Sequence, residues 1–348
     1  MGIVAPGTRR IRLSIDGRLR RERAVRRRRF SLSLALPARD FTLRVTAIDA
    51  LGHRSSTVVG PVFGLPRAAT PGNAPGLGGN EDAVLAQRVR GLARRFPGTC
   101  AAFVQDLHSG LGAAWNARAR FPAASTLKVA IALEVLRVHS GKPSPGSRID
   151  LLLRRMLLAS DAKAANELLV WLGGSTRAGG ARVNATLRAL GLSDTDMYGG
   201  YEEMVSRRRK PIPRRIESQP DFGLGKYTTA WDLARLMRHL HFAAGGKGLL
   251  IRRFRGSFTP SDARFLLFLL AHVGEQGRLD RYLGGATVLQ KAGWIEKARH
   301  DSGLVYWRRG VFVATVMTWN LRGAGASSDV LAGRIARAAL DRFRARAP

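Results

Sequence analysis

Hydrophobic and polar residues alternate along the first 66 residues of the chain. Ile11, Leu13 and Ile15 alternate with polar neighbours up to an Asp16-Gly17 turn. The same period of two recurs in two later runs, which are Phe30, Leu32, Leu34 and Leu36, and then Phe41, Leu43, Val45 and Ala47. Because the side chains of a strand point alternately to its two faces, this period predicts half-buried strands. Residues 1–66 are therefore predicted to form a small all-β module.

From residue 81 onward the pattern changes to a mixture of helical and strand periods. Helices are predicted over about 81–95, 125–140, 149–158, 162–172, 180–190, 229–243, 261–273 and 328–344. Strands are predicted over about 100–107, 113–116, 286–291, 303–307 and 311–318. Since strands stand at both ends of this region, one sheet should combine N- and C-terminal strands around an all-helical middle. The predicted fold class is therefore α+β, and not a doubly wound parallel sheet.

A segment rich in Pro and Gly, residues 67–80, separates the two regions and has no apolar period, which is typical of a linker. The predicted organisation is a β module at 1–66, a linker at 67–80 and an α+β domain at 81–347. The densest run of charge, Arg26–Arg29, falls between two predicted strands. A solvated turn is a better interpretation of this run than a nucleic-acid signal.

Charge is the most unusual feature of the composition. Of the 348 residues, 58 are Lys or Arg and 25 are Asp or Glu, which gives a formal net charge of +33. Such a charge favours a polyanionic partner, either nucleic acid or an anionic polymer. However, only eight of the basic residues are lysines, and the arginines are spread along the chain. Arginine-rich codon usage therefore explains the charge better than a specific nucleic-acid function, and an anionic envelope polymer is kept as a candidate partner.

Several classes of protein are excluded by simpler counts. The single cysteine, Cys100, rules out an intramolecular disulfide and a cysteine metal cage. The seven histidines show no metal-ligand spacing, so no metal and no other cofactor is predicted. No run reaches the roughly 18 apolar residues of a membrane span, and the Arg-rich N-terminus lacks the apolar core of a signal peptide.

The candidate chemistry begins with an S-x-x-K motif, Ser125-Thr126-Leu127-Lys128, at the start of a strongly apolar predicted helix. Residues i and i+3 share a helix face, so the amine of Lys128 can reach the hydroxyl of Ser125. A serine in the first turn also feels the positive end of the helix dipole, which favours a developing alkoxide. The motif alone carries little weight, because a second S-x-x-K occurs at Ser160–Lys163.

Two further motifs follow in a fixed order, Ser160-Asp161-Ala162 and Lys291-Ala292-Gly293. The order S-x-x-K, S-D-x, K-x-G is the signature of class A β-lactamases and penicillin-binding proteins. The surrounding segments FVQDLHSG, FPAASTLKV, YTTAWDLARLM and KAGWIEKARHDSGLV fit the same layout. Residues 81–347 therefore resemble the class A β-lactamase-like serine hydrolase family, which implies an antiparallel sheet with an all-helical middle.

The N-terminal region carries a second, weaker resemblance. The stretch 41–66, with AIDALGHRSS and FGLP, resembles the closing strands of bacterial immunoglobulin-like modules. Residues 1–66 are short for a complete sandwich of about 100 residues. One hypothesis is that its first strands and an export signal lie upstream of Met1. The family resemblance implies an extracellular or cell-envelope location.

The family resemblance also implies roles for individual residues. Ser125 would attack the carbonyl carbon of a β-lactam or related amide and form an acyl-enzyme. Lys128 would take the proton of Ser125, directly or through water. Ser160, linked to Lys291, would pass a proton to the leaving nitrogen. The backbone N–H groups of Ser125 and Trp294 would form the oxyanion hole.

Substrate binding is expected next to the K-x-G triplet. The resemblance assigns Ala292 and Gly293 to the substrate-binding strand, and Lys291 and Arg299 would attract a substrate carboxylate. One residue in each of two motifs departs from the family, because Ala162 replaces an amide and Ala292 replaces a hydroxyl.

The weaker candidates also have structural interpretations. Asp161 is as well explained as a helix cap, and Asn166 as an amide that packs a helix. Residues 191–226 hold no clear E-x-x-L-N motif for deacylation, although Glu202 and Glu203 lie in roughly the right place. The pair His300-Asp301 is predicted to form a turn.

Three functions remain open at this point, beside the polyanion binding that the net charge of +33 suggests. The first is a β-lactamase-type hydrolase acting on a small-molecule substrate. The second is a D,D-peptidase or penicillin-binding enzyme that acts on peptidoglycan, and the missing deacylation motif favours it. The third is a non-catalytic envelope-binding relative, which the two altered triplets favour.

Overall fold

The computed structural model describes residues 2–32, 34, 41–62, 81–201, 211–216 and 219–346. The chain divides into two compact units, Met1–Arg67 and Ala68–Pro348. The predicted linker at 67–80 lies outside the described residues.

The first unit is built from strands. They are β1 (Gly2–Ile3), β2 (Thr8–Ile15), β3 (Arg18–Ala24), β4 (Arg29–Phe30), β5 (Phe41–Asp49) and β6 (Arg54–Val62). An antiparallel sheet has the order β3-β2-β5-β6, and β1 pairs separately with β4. Ile11, Leu13 and Val25 form its small buried cluster, so the alternation in β2 is the one that the sequence predicted.

Two features of this unit differ from the prediction. The expected strand from Phe30 to Leu36 is wrong in its described part, because the strand ends at Phe30 and Leu32 and Leu34 lie outside any strand. Their side chains pack against the small core without pairing their backbone in a sheet. Conversely, β3 was not predicted, since all seven of its residues are exposed and an edge strand of this kind needs no apolar alternation.

The second unit has helices α1 (Ala83–Arg94), α2 (Lys128–His139), α3 (Arg148–Leu158), α4 (Ala162–Gly173), α5 (Thr176–Ala189), α6 (Ala230–Ala244), α7 (Gly248–Arg253), α8 (Pro260–Ala271) and α9 (Ala326–Arg346). Its strands are β7 (Thr99–Asp106), β8 (Gly112–Trp115), β9 (Phe121–Pro122), β10 (Tyr227–Thr228), β11 (Thr287–Ile295), β12 (Ala298–Trp307) and β13 (Gly310–Trp319). Within the described residues, no helix combines the length and the apolar character that crossing a bilayer requires.

One antiparallel sheet organises this unit, with the strand order β11-β12-β13-β7-β8. The C-terminal and N-terminal strands meet where β13 pairs with β7, for example at Thr315 opposite Phe103. The predicted α+β class, with a sheet assembled from both ends of the region around a helical middle, is therefore confirmed.

The central strand β13 is buried on both faces, which explains its continuous apolar run. Phe312, Ala314 and Val316 belong to the core cluster that β7, α1 and α9 also form. Helix α6 also packs against β7, β12 and β13. The sheet is thus covered by helices, and its edge strand β11 remains available to line a cavity.

The hairpin of β11 and β12 corrects one prediction. His300-Asp301 was expected to form a turn, but Gly293 pairs with His300 in the middle of the hairpin. His300 is fully buried, and burial lowers its pKa to about 4. The neutral ring donates from Nε2 to the Pro122 carbonyl at 2.7 Å and accepts at Nδ1 from the Thr318 amide at 3.2 Å. Because both ring nitrogens are satisfied, this polar residue is accommodated inside the sheet.

Asp82 joins the two ends of the second unit. Its carboxylate caps α1 by accepting from the Leu85 amide at 3.1 Å, and it pairs with Arg342 of α9 at 2.8 Å. Its side chain is fully buried at 0 % exposure. Burial alone would raise the pKa of Asp82, but the hydrogen bond and the charge of Arg342 more than offset this and lower it.

We expect Asp82→Asn to lower the free energy of unfolding by about 1–3 kcal/mol, because a buried partner of a cation is removed. Since the folded-state pKa is lowered, the contribution of Asp82 is fully present above the ordinary Asp pKa and is lost as pH falls through the lowered folded-state value. Urea unfolding at neutral and acidic pH measures both effects. The control Asp341→Asn, which removes an exposed pair with Arg337, should cost less than about 0.5 kcal/mol. Equal losses in the two variants would contradict the assignment.

Candidate active site

A cavity of about 650 Å³ opens beside the end of β11. Its lining residues are Pro122, Ala124, Ser125, Lys128, Ala159, Ser160, Ala162, Tyr198, Gly199, Gly200, Tyr201, Leu224, Gly225, Lys226, Glu275, Trp294, Ile295 and Glu296. Residues separated by long stretches of the chain, such as Ser125, Ser160 and Trp294, therefore share one concave surface. This is the usual form of a small-molecule site.

Ser125 lies in a short 3-10 helix, Ala124–Leu127, that leads directly into α2. The residue before it, Ala124, has a positive φ of 46°, which is strained for a residue with a Cβ. The surrounding chain fixes this turn, since the Ala123 amide donates to the Lys226 carbonyl at 2.9 Å. Strained backbone held in this way is common at functional sites.

Lys128 is only 1 % exposed, and its amine points at the second serine of the site. Lys128 Nζ donates to the Ser160 carbonyl and lies 3.4 Å from Ser160 Oγ. It also lies 4.7 Å from the centre of the Tyr201 ring. The side chain is therefore part of the cavity wall and not a surface lysine.

Ser160 sits between α3 and α4 with a positive φ of 56°. The next residue, Asp161, caps α4 by accepting from the Ala164 amide at 3.0 Å and pairs with Arg155 at 2.6 Å. The backbone hydrogen bond to Ala164 is the largest of the effects that lower the pKa of Asp161. Asp161 thus holds the turn that presents the hydroxyl of Ser160 to the cavity.

Lys291 contacts the same hydroxyl from a different element, the strand β11. Lys291 Nζ donates to Ser160 Oγ at 2.9 Å and to the Ala292 carbonyl at 2.8 Å, and the residue is 1 % exposed. Burial lowers the pKa of Lys291, and the negative charge of Glu275 opposes that shift. Ser160 Oγ therefore lies between two buried amines, those of Lys128 and Lys291.

Gly293 allows β11 to approach the backbone of Ser125. A Cβ atom at Gly293 would lie 2.7 Å from the Ser125 amide nitrogen and 2.8 Å from that of Thr126. Only glycine fits this contact without a shift of the backbone. The contact places Trp294, the next residue on the strand, at the rim of the cavity, where its side chain is 58 % exposed.

Asn166 has a structural partner at the cavity wall. Its amide group donates to the Tyr201 carbonyl at 2.6 Å and accepts from the Tyr201 amide at 2.6 Å. This clamp fixes the segment that carries Tyr201. The weak candidates Glu202 and Glu203, which follow directly in the chain, lie outside the described residues.

Three predicted substrate-binding residues, Ala292, Gly293 and Arg299, are not among the residues that line the cavity. Ala292 is buried within β11 and contributes its carbonyl to Lys291. Arg299 is paired with Asp329 of α9 at 2.7 Å. The structure thus brings together Ser125, Lys128, Ser160 and Lys291, and it directs Arg299 toward a different partner.

Sequence reasoning missed Glu275, which lines the cavity and lies 3.6 Å from Lys291 Nζ. It also missed the roles of Tyr201 and Lys226, whose ring and amine lie 4.4 Å apart. A signal for Glu275 was present, since it is one of only 25 acidic residues in this chain and stands between glycines shortly before the K-x-G strand.

The described residues place hydroxyl and amine groups together and offer no metal cage. No group of three or more His, Cys, Asp or Glu side chains within them is placed to hold a metal ion. Instead, Ser125, Lys128 and Ser160 line one cavity, and the Lys291 amine contacts the Ser160 hydroxyl. Such an arrangement can activate a nucleophile and protonate a leaving group.

Comparison with known proteins agrees with the fold. A family model described as "Beta-lactamase enzyme family" matches residues 84–151 and 141–343. No curated protein matches the chain.

Solved structures match the fold at low sequence identity. PBP-A has a TM-score of 0.62 at 21% identity and covers 78% of this chain and 100% of its own. A PBP-A mutant, solved as an acyl-enzyme complex with penicillin G, has a TM-score of 0.60 at 21% identity, with coverage of 76% and 98%. A β-lactamase from Desulfarculus baarsii has a TM-score of 0.58 at 18% identity, and the match covers 75% of this chain and 97% of that protein. An ancestral class A β-lactamase has a TM-score of 0.58 at 21% identity, and the match covers 74% of this chain and 100% of that protein.

We expect Gly293→Ala to slow labelling of Ser125 by a fluorophosphonate at least about tenfold, since the new methyl group would push β11 away from the Ser125 amide. The labelling rate, measured by intact mass, checks this. Gly284→Ala is the matched control, because a Cβ there meets no atom within 4 Å. Unchanged labelling of the Gly293 variant would show that the close approach does not matter for the nucleophile.

Proposed function

Because the chain belongs to the beta-lactamase enzyme family, we propose that it is a serine hydrolase in which a β-lactam or related amide acylates Ser125. The observation that carries the proposal is the position of Ser160 Oγ, 2.9 Å from Lys291 Nζ and 3.4 Å from Lys128 Nζ. Ser125 and Lys128 line the cavity that this hydroxyl also faces.

The proposed acylation is a proton relay. Neutral Lys128 Nζ accepts the proton of Ser125 Oγ while that oxygen bonds to the carbonyl carbon. As the carbon–nitrogen bond breaks, Ser160 Oγ gives its proton to the leaving nitrogen and receives one from Lys128. Lys291 keeps its proton throughout and stabilises the negative charge that develops on Ser160 Oγ.

The oxyanion is proposed to bind two backbone N–H groups, those of Ser125 and Trp294. The close approach at Gly293 supports this, because it brings β11 against the start of the 3-10 helix. One such donor contributes about 10²–10³-fold to the rate in other serine enzymes.

Hydrolysis is completed when water adds to the acyl carbon and Ser125 Oγ leaves with a proton. The described lining residues include two carboxylates, Glu275 and Glu296. Glu275 is already paired with Lys291 and with Arg278 at 3.1 Å. This favours a slow second step, as in a D,D-peptidase or penicillin-binding enzyme acting on peptidoglycan, and the PBP-A mutant was solved as a penicillin acyl-enzyme.

We expect millimolar penicillin G to add the mass of one penicillin to the protein, with the adduct on the peptide that contains Ser125. Ser125→Ala should abolish the adduct, and Ser160→Ala should slow its formation about 10²–10⁴-fold. Intact mass followed over time is the measurement.

The time course separates the alternatives. A β-lactamase-type enzyme loses the adduct within the dead time, whereas a penicillin-binding enzyme keeps it for hours. The exposed Ser144→Ala serves as the control for substitution of a serine. No adduct in any form, with penicillin or with an uncharged active ester, would reject the enzymatic proposal and leave a non-catalytic envelope-binding protein.

A cell-envelope location with an anionic polymer as a second partner is also proposed. Residues 1–67 contain fifteen arginines, no lysine and four acidic residues, a net charge of +11, while the other 281 residues carry +22. Charge is thus about twice as dense in the first unit. Eight of its arginines fall within residues 18–29, on the exposed edge strand β3, the turn after it and the first residue of β4.

Replacing Arg26–Arg29 by glutamine should lower the salt concentration of elution from heparin by about 0.1 M or more, since fewer counterions are displaced. The matched control replaces four exposed arginines of the second unit, which are Arg88, Arg95, Arg334 and Arg337. The same shift in both variants would mean that net charge alone sets the retention, and would argue against a dedicated surface in the first unit.

A further inference from the structure

Glu275 places a fixed negative charge inside the cavity. Its side chain is 25 % exposed, and its Oε2 lies 3.6 Å from Lys291 Nζ and 3.1 Å from Arg278 Nη1. Its backbone carbonyl accepts from Gln290 Nε2 at 3.2 Å. Contacts from both the main chain and the side chain therefore hold Glu275 beside the amine that contacts Ser160.

Glu275 belongs to a series of alternating charges that leads away from the cavity. Arg278 is 8 % exposed and lies 3.4 Å from Asp329, whose carboxylate pairs with Arg299 at 2.7 Å. The order from the cavity is Lys291, Glu275, Arg278, Asp329 and Arg299. The series places a protein carboxylate next to both cations that the sequence suggested for a substrate carboxylate.

The two lysines of the described cavity lining, Lys128 and Lys226, lie at Tyr201. Lys226 Nζ donates to the Gly200 carbonyl at 2.7 Å and lies 4.4 Å from the centre of the Tyr201 ring. Lys128 lies 4.7 Å from the same centre and donates to the Ser160 carbonyl. In the described lining, two lysines are thus matched by two glutamates, Glu275 and Glu296.

A carboxylate that approached Lys291 Nζ would come near Glu275, whose Oε2 lies 3.6 Å from that amine. Two carboxylates that share one ammonium repel each other, and the repulsion is stronger at a partly buried site than in bulk water. An uncharged amide or ester meets no such repulsion, and a cationic group would be attracted. The charge of Glu275 is thus placed to act on the choice of substrate.

We propose that Glu275 is a specificity-determining residue that makes this site prefer acyl donors with an uncharged or cationic group beside Lys291 over donors with a free carboxylate. The inference rests on the proposed acylation of Ser125. It shifts the preferred substrates toward amides and esters whose carboxylate, next to the scissile bond, is absent or blocked, and it therefore weighs against the D,D-peptidase alternative, whose substrates end in a free carboxylate.

The test uses one lactam with two charge states, penicillin G and its methyl ester. The rate of adduct formation on Ser125 is measured for each by intact mass and divided by the rate of alkaline hydrolysis of the same compound, so that intrinsic reactivity cancels. We expect the wild-type protein to react at least about tenfold faster with the ester, which corresponds to about 1.4 kcal/mol. This comparison needs no substitution and so does not depend on the folding of a variant.

Glu275→Gln should raise the ratio of the carboxylate rate to the ester rate at least about tenfold. The control Glu167→Gln removes the same charge from an exposed pair with Arg148 on α4 and should leave the ratio unchanged. A wild-type ratio near one, or a ratio that Glu275→Gln does not alter, overturns the inference while Ser125 acylation still stands. If neither compound labels Ser125, the proposed function itself has failed.

Discussion

Two buried lysines share one serine hydroxyl, and the rest of the active site depends on this arrangement. A lysine amine inside a protein is tolerated only where hydrogen-bond partners replace the water it has lost. For Lys128 and Lys291 those partners include Ser160 Oγ and the carbonyls of Ser160 and Ala292. Because each lysine sits on a different element, α2, the turn before α4 and the edge strand β11 must meet at one point. The cleft is therefore a consequence of satisfying two buried amines.

The backbone near the Ser160 hydroxyl adopts conformations that are unfavourable by themselves. Ala124 and Ser160 both adopt a positive φ, a conformation that costs about 1–3 kcal/mol for a residue with a Cβ. The surroundings fix both turns. Asp161 caps the helix after Ser160, and His300 ties β12 to the carbonyl just before Ala123. Preorganised geometry of this kind lets a site act without rearranging during the reaction.

The sequence was most informative where a local pattern decides the structure. Strand alternation in β2, the apolar run of β13 and the order of the three motifs each follow from neighbouring residues, and they led to the α+β class and to Ser125, Lys128, Ser160 and Lys291. The sequence was least informative where groups that are distant along the chain decide the structure around a residue. His300 is a strand residue only because Pro122 and Thr318 satisfy its ring. Glu275 lines the cavity only because the fold places it beside Lys291, sixteen residues further along the chain.

The overall charge and the charge of the cavity follow separate rules. A chain with a net charge of +33 should attract anions over long distances. At physiological ionic strength, however, the Debye length is about 8 Å, so exposed arginines contribute little inside a partly buried site. The local groups then dominate, and among the described ones each cation of the series from Lys291 to Arg299 has a carboxylate neighbour. A protein this basic can therefore hold a cavity whose electrostatic preference differs from that of its surface, since a few acidic residues suffice where water is scarce.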